Sequence, residues 1–126
     1  VGKIRVLIAD SNDRTASALA DILQNEADYE VQTVQSNFGT GAAVQKFVPH
    51  VLLVSLLAED INAMGICKYI RANEDLRTIK IIALVNQLSD SESAALLQKG
   101  FDGYVPYSAD GTEVIKRIEE ATAIIY

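Results

Sequence analysis

One almost unbroken apolar run, Val51-Leu52-Leu53-Val54-Ser55-Leu56-Leu57, constrains the fold of this chain more than any other stretch. Pro49 precedes the run and Glu59-Asp60 follows it, which is typical of a strand bounded by loops. A strand without polar alternation is buried on both faces, as in a parallel sheet covered by helices on both sides. Its one hydroxyl, that of Ser55, lies near the carboxyl end of the strand, where such folds place ligands and chemistry.

Strands and helices alternate five times along the rest of the chain, with no linker and no repeat. Apolar stripes at helical spacing indicate helices, Pro49 ends a short helix near Thr40–Phe47, and Ser89 with Glu92 has the form of a capping box. Gly100 suits the left-handed end of that capped helix. The predicted strands are 3–10, 30–35, 51–57, 79–85 and 103–106. The stripes are Ala16, Leu19, Ala20 and Leu23; Ala63, Ile66, Cys67 and Ile70; and Val114, Ile118 and Ala121. This pattern predicts a three-layer α/β domain with a doubly wound parallel sheet.

Composition excludes several classes of protein. The length of 126 residues suits one domain over residues 1–126. A net charge of −6, with no dense Lys/Arg patch along the sequence, predicts that this domain binds no nucleic acid. No apolar segment reaches the 18 residues of a membrane span, so we expect no membrane association. The single cysteine, Cys67, fits a buried position in a protein of the reducing cytoplasm. Since the chain begins at Val1 rather than Met, we expect either a processed chain or a piece excised from a longer protein.

The carboxyl ends of the predicted strands lack the signatures of common α/β enzymes. The turn Ser11-Asn12-Asp13-Arg14 has no glycine to cradle a nucleotide phosphate. Ser55 is not in a Gly-x-Ser-x-Gly elbow. The single histidine, His50, lies at the opposite end of the strand from Ser55, where we expect it to be solvated at the strand start, so it cannot complete a triad. No Cys/His set has metal-ligand spacing. We therefore predict that the chain is not an enzyme.

Five segments nevertheless follow a specific frame. Val6–Asp10 is a strand ending in an acid, and Pro49–Ser55 is an apolar strand that follows a proline. Met64–Arg71 begins a helix with a glycine, Ile81–Asn86 is a strand with a polar end, and Gly100–Ser108 contains Gly-x-x-x-Tyr. Over essentially its whole length the chain thereby resembles the receiver domain of bacterial two-component response regulators, the CheY-like family. The resemblance implies a (βα)5 flavodoxin-like fold with strand order 2-1-3-4-5.

The positions at which the family carries out its chemistry differ in this chain. Ser55 stands where the resemblance places the phosphoacceptor aspartate, and Val85 stands at the switch Thr/Ser position. Tyr107 stands at the lysine position. Of the acidic pair only Asp10 remains, because its neighbour is Ser11. The loop after Ser55 is also two residues longer than usual before the glycine and lacks the usual Met-Pro. The chain is therefore predicted to be a degenerate pseudo-receiver.

Elementary chemistry favours the same prediction. Mg²⁺ needs several oxygen ligands with carboxylates among them, and Asp10 offers one negative charge beside the Ser55 hydroxyl and a backbone carbonyl such as that of Leu57. We expect at most a weak, millimolar Mg²⁺ site at Asp10 and no cofactor. Val85 cannot donate a hydrogen bond to a phosphate, and Tyr107 carries no positive charge at pH 7. Two placements of Tyr107 stay open: its hydroxyl bonds Ser55 or Asp10, or it points to solvent.

These departures predict a signalling module of the two-component phosphorelay family that acts through protein contacts, independently of Asp phosphorylation. In the family the output surface combines helix four, strand five and helix five, and Tyr104 matches its aromatic switch position. The predicted partner is a protein, a linked output domain or a second copy of the chain. The alternatives are a working receiver phosphorylated on Ser55 by a Ser/Thr kinase and, more distantly, an enzyme of another α/β family. The residues expected to be exposed on this surface are Glu92, Gln98, Lys99, Asp102, Lys116, Arg117 and Glu120.

Overall fold

The computed structural model describes residues 3–26 and 28–123. Strands and helices alternate through the chain as the sequence predicts. The strands are β1 (Ile4–Ala9), β2 (Tyr29–Val34), β3 (Val51–Ser55), β4 (Lys80–Val85) and β5 (Gly103–Pro106). The helices are α1 (Asp13–Gln24), α2 (Asn37–Phe47), α3 (Ala63–Ala72), α4 (Asp90–Lys99) and α5 (Gly111–Thr122). Within the described ranges the longest helices have 12 residues, and none could cross a membrane.

The five strands form one parallel sheet in the order β2-β1-β3-β4-β5, which confirms the predicted order. β3 lies in the centre, where Val51 is in register with Val6 of β1 and with Lys80 of β4. β2, whose residues alternate between polar and apolar, lies at an edge of the sheet as predicted. The carboxyl ends of β1, β3, β4 and β5 therefore meet at one edge of the domain, which is where ligand sites of such sheets lie.

Each face of the sheet has its own hydrophobic core. Leu52 and Val54 of β3 point into one core, which the buried residues of α2, α3 and α4 complete. Val51 and Leu53 point into the other core, against buried residues of α1 and α5. All four side chains are 0% exposed, which explains why the strand carries no polar alternation. Cys67 is buried in the first core, as predicted.

The helix starts follow from side-chain capping. A side-chain oxygen of each residue preceding a helix accepts a backbone N–H of the first turn, namely at Asn12, Ser36, Asn62, Ser89 and Asp110. Before α4 the capping box is complete, because the Glu92 side chain also accepts the backbone N–H of Ser89. The helix ends at Gly100 with φ of 109°, the left-handed conformation predicted for this glycine.

Several predicted boundaries and burials were wrong. β3 ends at Ser55, and Leu57 is 53% exposed, because the backbone turns when the amides after Ser55 bond its side chain. α2 begins at Asn37 rather than near Thr40, because Ser36 caps it. In α5, Ala121 is only half-buried. The apolar tail predicted at residues 124–126 lies outside the described residues.

Candidate functional site

A polar cleft of about 520 Å³ lies at the carboxyl end of the sheet. The ends of β1, β3 and β5 and the loop between β3 and α3 supply its walls. The lining residues are Asp10, Ser11, Asn12, Thr15, Ser55, Leu57, Ala58, Glu59, Asp60, Asn86 and Tyr107. Four positions that the sequence singled out, Asp10, Ser11, Ser55 and Tyr107, are therefore brought together. The other two, Val85 and Tyr104, do not line this cleft.

The side chain of Ser55 is fully buried at the end of β3. Its Oγ accepts hydrogen bonds from the backbone N–H groups of Leu57 and Ala58, both at 3.1 Å. A hydroxyl oxygen has two acceptor lone pairs and one O–H donor. Because two amides occupy both lone pairs, the Ser55 hydroxyl must act as the donor toward any third partner.

That third partner is Tyr107, which reaches into the cleft from the end of β5. Its hydroxyl contacts Ser55 Oγ and donates to Asp10 Oδ2 at 3.3 Å. The other oxygen of Asp10 accepts the backbone N–H of Asn12 at 3.0 Å. Of the two placements left open by the sequence, the hydrogen-bonded one is confirmed. The polar chain runs in one direction, from the amides of Leu57 and Ala58 through Ser55 and Tyr107 to Asp10; we call it the Ser55–Tyr107–Asp10 chain.

Tyr107 must be protonated in this arrangement, because its O–H donates the hydrogen bond that Asp10 accepts. Burial, supported by the negative charge of Asp10, raises the pKa of the Tyr107 phenol to about 12, although the hydrogen bond with Ser55 acts in the opposite direction. Asp10 is only 2% exposed, and the Tyr107 phenol donates one of the two hydrogen bonds that this buried carboxylate accepts within the described residues. The Ser55–Tyr107–Asp10 chain is thus neutral at its first two side chains and anionic only at Asp10.

The two remaining positions lie elsewhere. Val85 is the last residue of β4 and is 2% exposed, with its side chain in the core beneath α3 and α4. Its carbonyl accepts the backbone N–H of Tyr107 at 2.8 Å, which fixes the phenol-bearing residue beside the cleft. Tyr104 is half-buried on β5 and borders a groove between α4 and α5.

The donor set does not fit a Mg²⁺ ion of the kind that phosphoryl transfer needs. Mg²⁺ requires near-octahedral oxygen coordination, usually with more than one carboxylate. Each oxygen of Asp10 already accepts one hydrogen bond, and Ser55 Oγ has no free lone pair. The other two carboxylates of the lining, Glu59 and Asp60, do not converge with Asp10 into a metal-binding group. Among residues 3–26 and 28–123, no three His, Cys, Asp or Glu side chains are grouped to hold a metal.

Sequence reasoning missed part of the lining. Glu59 and Asp60 border the cleft because the loop after β3 folds back over it, and Thr15 contributes from the first turn of α1. The longer loop was visible in the sequence, but its direction depends on the amides that Ser55 binds. The expectation of a solvated His50 was wrong: the residue is half-buried, and its Nδ1 accepts the backbone N–H of Arg5 at 2.9 Å.

The fold and the cleft define a class: a parallel α/β domain with a polar site at the ends of β1, β3 and β5. Residues 6–119 match the family model described as the response regulator receiver domain. The chain belongs to this family and is a receiver domain of two-component signalling. Domains of this family interact with other proteins or with linked output domains.

Solved structures agree with this assignment. A protein described as a response regulator from Chloroflexus aurantiacus is 26% identical, with a TM-score of 0.86 over 96% of this chain and 98% of that one. The receiver domain of a DNA-binding response regulator from Colwellia psychrerythraea is 19% identical, with a TM-score of 0.86 over 96% and 99%. The chemotaxis response regulator CheY4 of Vibrio cholerae is 18% identical, with a TM-score of 0.86 over 94% and 98%. The last two likenesses concern the fold.

Proposed function

We propose that this receiver domain is a pseudo-receiver, which signals through protein contacts without phosphorylation of an aspartate. One observation carries the proposal: the Tyr107 hydroxyl lies between Ser55 and Asp10 and bonds both. In a phosphorylatable receiver this space holds the metal and the phosphoryl group. Here a neutral phenol fills it and completes the hydrogen bonding of the buried groups around it.

The charges of the cleft support the same conclusion. A phosphoryl group on residue 55 needs cations or N–H donors around its three oxygens. The side chains nearest to Ser55 supply a phenol, and the cleft adds the carboxylates of Asp10, Glu59 and Asp60. No Lys or Arg side chain lines this cleft. A phosphoryl group would therefore meet three carboxylates and no side-chain cation.

Without a phosphoryl ligand to shift an equilibrium, the conformation of the output surface is set by the sequence. We propose that the domain presents the surface of α4, β5 and α5 to a protein partner, to a linked output domain or to a second copy of the chain. All seven charged and polar residues predicted on this surface are exposed. A groove of about 250 Å³ crosses it beside Tyr104, Leu97 and Arg117 and offers a place for a partner side chain.

Titration with beryllofluoride in Mg²⁺, followed by amide NMR shifts, tests the loss of phosphorylation. We expect no saturable change at Ser55 or Val85 in the wild-type protein. The matched control restores the missing groups with Ser55→Asp, Tyr107→Lys, Ser11→Asp and Val85→Thr in one variant, which should show saturable shifts. Saturable shifts in the wild-type protein would contradict the proposal.

The alternative of a receiver phosphorylated on Ser55 is less compatible with the structure. A Ser/Thr kinase binds its substrate in an extended form, whereas Ser55 is 0% exposed and its oxygen accepts two backbone amides. Mass spectrometry after isolation of the protein from its native cells would decide the point, because a phosphate on Ser55 would favour the alternative. From the family and the single reduced Cys67, we further propose the bacterial cytoplasm as the location.

A further inference from the structure

A second cleft, at the opposite end of the sheet from the Ser55–Tyr107–Asp10 chain, collects positive charge. It measures about 490 Å³ and lies beneath the amino ends of β1, β3 and β4. We call it the basic cleft; its lining residues are Arg5, Val48, Pro49, His50, Arg77, Thr78, Ile79 and Lys80. Three cations and one imidazole line it and no carboxylate does, in a chain whose net charge is −6. Its volume is that of a small-molecule site.

The floor of the basic cleft is held rigidly by the hydrogen bonds of three strand starts. The backbone N–H of Lys80 donates to the His50 carbonyl at 2.9 Å, and the N–H of His50 donates to the Arg5 carbonyl at 2.9 Å. The Arg5 side chain is fixed as well, since its Nε and Nη2 donate to the Val48 carbonyl at 3.0 and 2.8 Å, and Nε also reaches the Phe47 carbonyl. The Arg5 guanidinium is therefore already ordered before a ligand binds, so binding costs none of its side-chain entropy.

His50 adds an uncharged donor to this wall. Its Nδ1 accepts the backbone N–H of Arg5, so the neutral ring carries its proton on Nε2. Burial, together with the neighbouring positive charge of Arg5, lowers the pKa of His50. Thr78 contributes a hydroxyl at the rim. Cations, an N–H donor and a hydroxyl are the groups that bind phosphate oxygens.

The positive charge of the basic cleft is not neutralised by ion pairs within the described ranges. The two salt bridges found there, Arg71–Asp102 and Arg117–Glu120, involve other cations. Glu30 of β2 lies opposite Arg5 in the sheet register, but it is not within 4.0 Å of that guanidinium. Lys80 also borders the groove that contains Asp102, whose carboxylate is already held by Arg71 at 2.6 Å.

We propose that the basic cleft binds small molecules that carry a diphosphate or a similarly multiply charged phosphate group. Charge complementarity selects the ligand, because Arg77 and Lys80 form no ion pair among the residues that the structure describes and line the same cleft as the fixed guanidinium of Arg5. A multiply charged group is required, since a single charge at a half-open site is strongly screened by salt. The site is separate from the pseudo-receiver proposal, because it shares no lining residue with the carboxyl-end cleft.

Titration with inorganic pyrophosphate in metal-free buffer containing EDTA, followed by amide NMR shifts, tests the proposal. We expect saturable shifts at Val48, His50, Thr78 and Lys80, with half-saturation at or below about 1 mM. Chelation of metal keeps any phosphate response at Asp10 out of the experiment. Raising the salt concentration should weaken binding, because the contacts are ionic.

Charge-neutralising variants distinguish a specific pyrophosphate site from a nonspecific attraction of anions to the protein surface. Arg77→Gln and Lys80→Gln should each weaken pyrophosphate binding about three- to tenfold. The matched control Lys68→Gln, at an exposed position of α3, removes the same charge outside the basic cleft and should leave affinity unchanged. The absence of saturation up to 10-fold above that concentration, or an equal effect of all three variants, would overturn the proposal. Binding of a hexaglutamate peptide without any response to pyrophosphate would overturn it too, in favour of an acidic protein partner.

Discussion

The Ser55–Tyr107–Asp10 chain can be tested by removing a single oxygen atom. Tyr107→Phe keeps the ring and deletes the hydroxyl that contacts Ser55 Oγ and donates to Asp10 Oδ2. The Ser55 O–H then loses its acceptor and Asp10 loses a donor, at positions that are 0% and 2% exposed. Burial makes such unsatisfied groups costly, because water cannot freely replace the missing partner.

The magnitude follows from the groups left behind. Each buried polar group without a partner costs about 1–3 kcal/mol, and a bond to a carboxylate lies in the upper part of that range. The cleft of about 520 Å³ is polar and large enough for a water molecule to bridge Ser55 and Asp10 in the variant, which recovers part of the loss. We expect Tyr107→Phe to lower the free energy of unfolding by about 2 kcal/mol. For 126 residues the unfolding entropy is about 0.26 kcal/mol/K, so the Tm should fall by about 8 °C.

Urea unfolding followed by circular dichroism measures this change, with Tyr104→Phe as the matched control. Tyr104 is a half-buried tyrosine of β5, the strand that Tyr107 follows, and its hydroxyl makes no hydrogen bond within the described part of the chain. Its loss should alter stability by less than about 0.5 kcal/mol. If Tyr107→Phe stayed within that range, or if both variants were equally destabilised, the reasoning about the chain would be refuted.

Two further predictions concern charge and protonation. Arg71→Lys should lower the free energy of unfolding by about 2 kcal/mol, because the guanidinium donates to three backbone carbonyls and to Asp102. The control Arg117→Lys changes a single exposed ion pair, so the same urea assay should show a loss of less than about 0.5 kcal/mol. The pKa of Tyr107 is raised from 10.0 to about 12 in the folded state, so its stabilising contribution is complete below pH 10 and is lost as the pH rises toward 12. The difference in unfolding free energy between wild type and Tyr107→Phe should therefore be constant below pH 10 and shrink above it; a constant difference up to pH 12 would contradict this.

The sequence predicted the fold because its local signals agree with one another. The apolar run of β3, the stripes of α1 and α3, and the capping box at Ser89 all point to the same alternation of elements, which the structure confirms. The start of α2 was missed because two glycines, Gly39 and Gly41, hid a helix that the Ser36 cap begins. Local capping decided that boundary, whereas hydrophobic periodicity did not.

The candidate site was predictable in its members and less so in its geometry. Parallel strands bring their carboxyl ends to one edge, so the meeting of Asp10, Ser55 and Tyr107 followed from topology. The direction of the hydrogen bonds could not be predicted from topology, because it depends on the two backbone amides that donate to Ser55 Oγ. The basic cleft was invisible for a related reason: its cations come from β1, from β4 and from the loop before β4, and are dispersed along the sequence.

The changed positions of the carboxyl-end cleft depend on one another physically. With Ser55 uncharged, Asp10 is the only buried carboxylate among the described residues, and the single O–H of the Tyr107 phenol bonds the Asp10 oxygen that the Asn12 amide leaves free. An aspartate at position 55 alone would bring a second carboxylate beside Asp10, with no cation in the lining and with a Tyr107 hydroxyl able to donate to only one of the two. A lysine at position 107 alone could pair with Asp10, but an ammonium only donates, so the buried Ser55 O–H would lose its acceptor. Each of these two single changes therefore breaks a hydrogen bond of the Ser55–Tyr107–Asp10 chain, so the residues at positions 55 and 107 depend on each other.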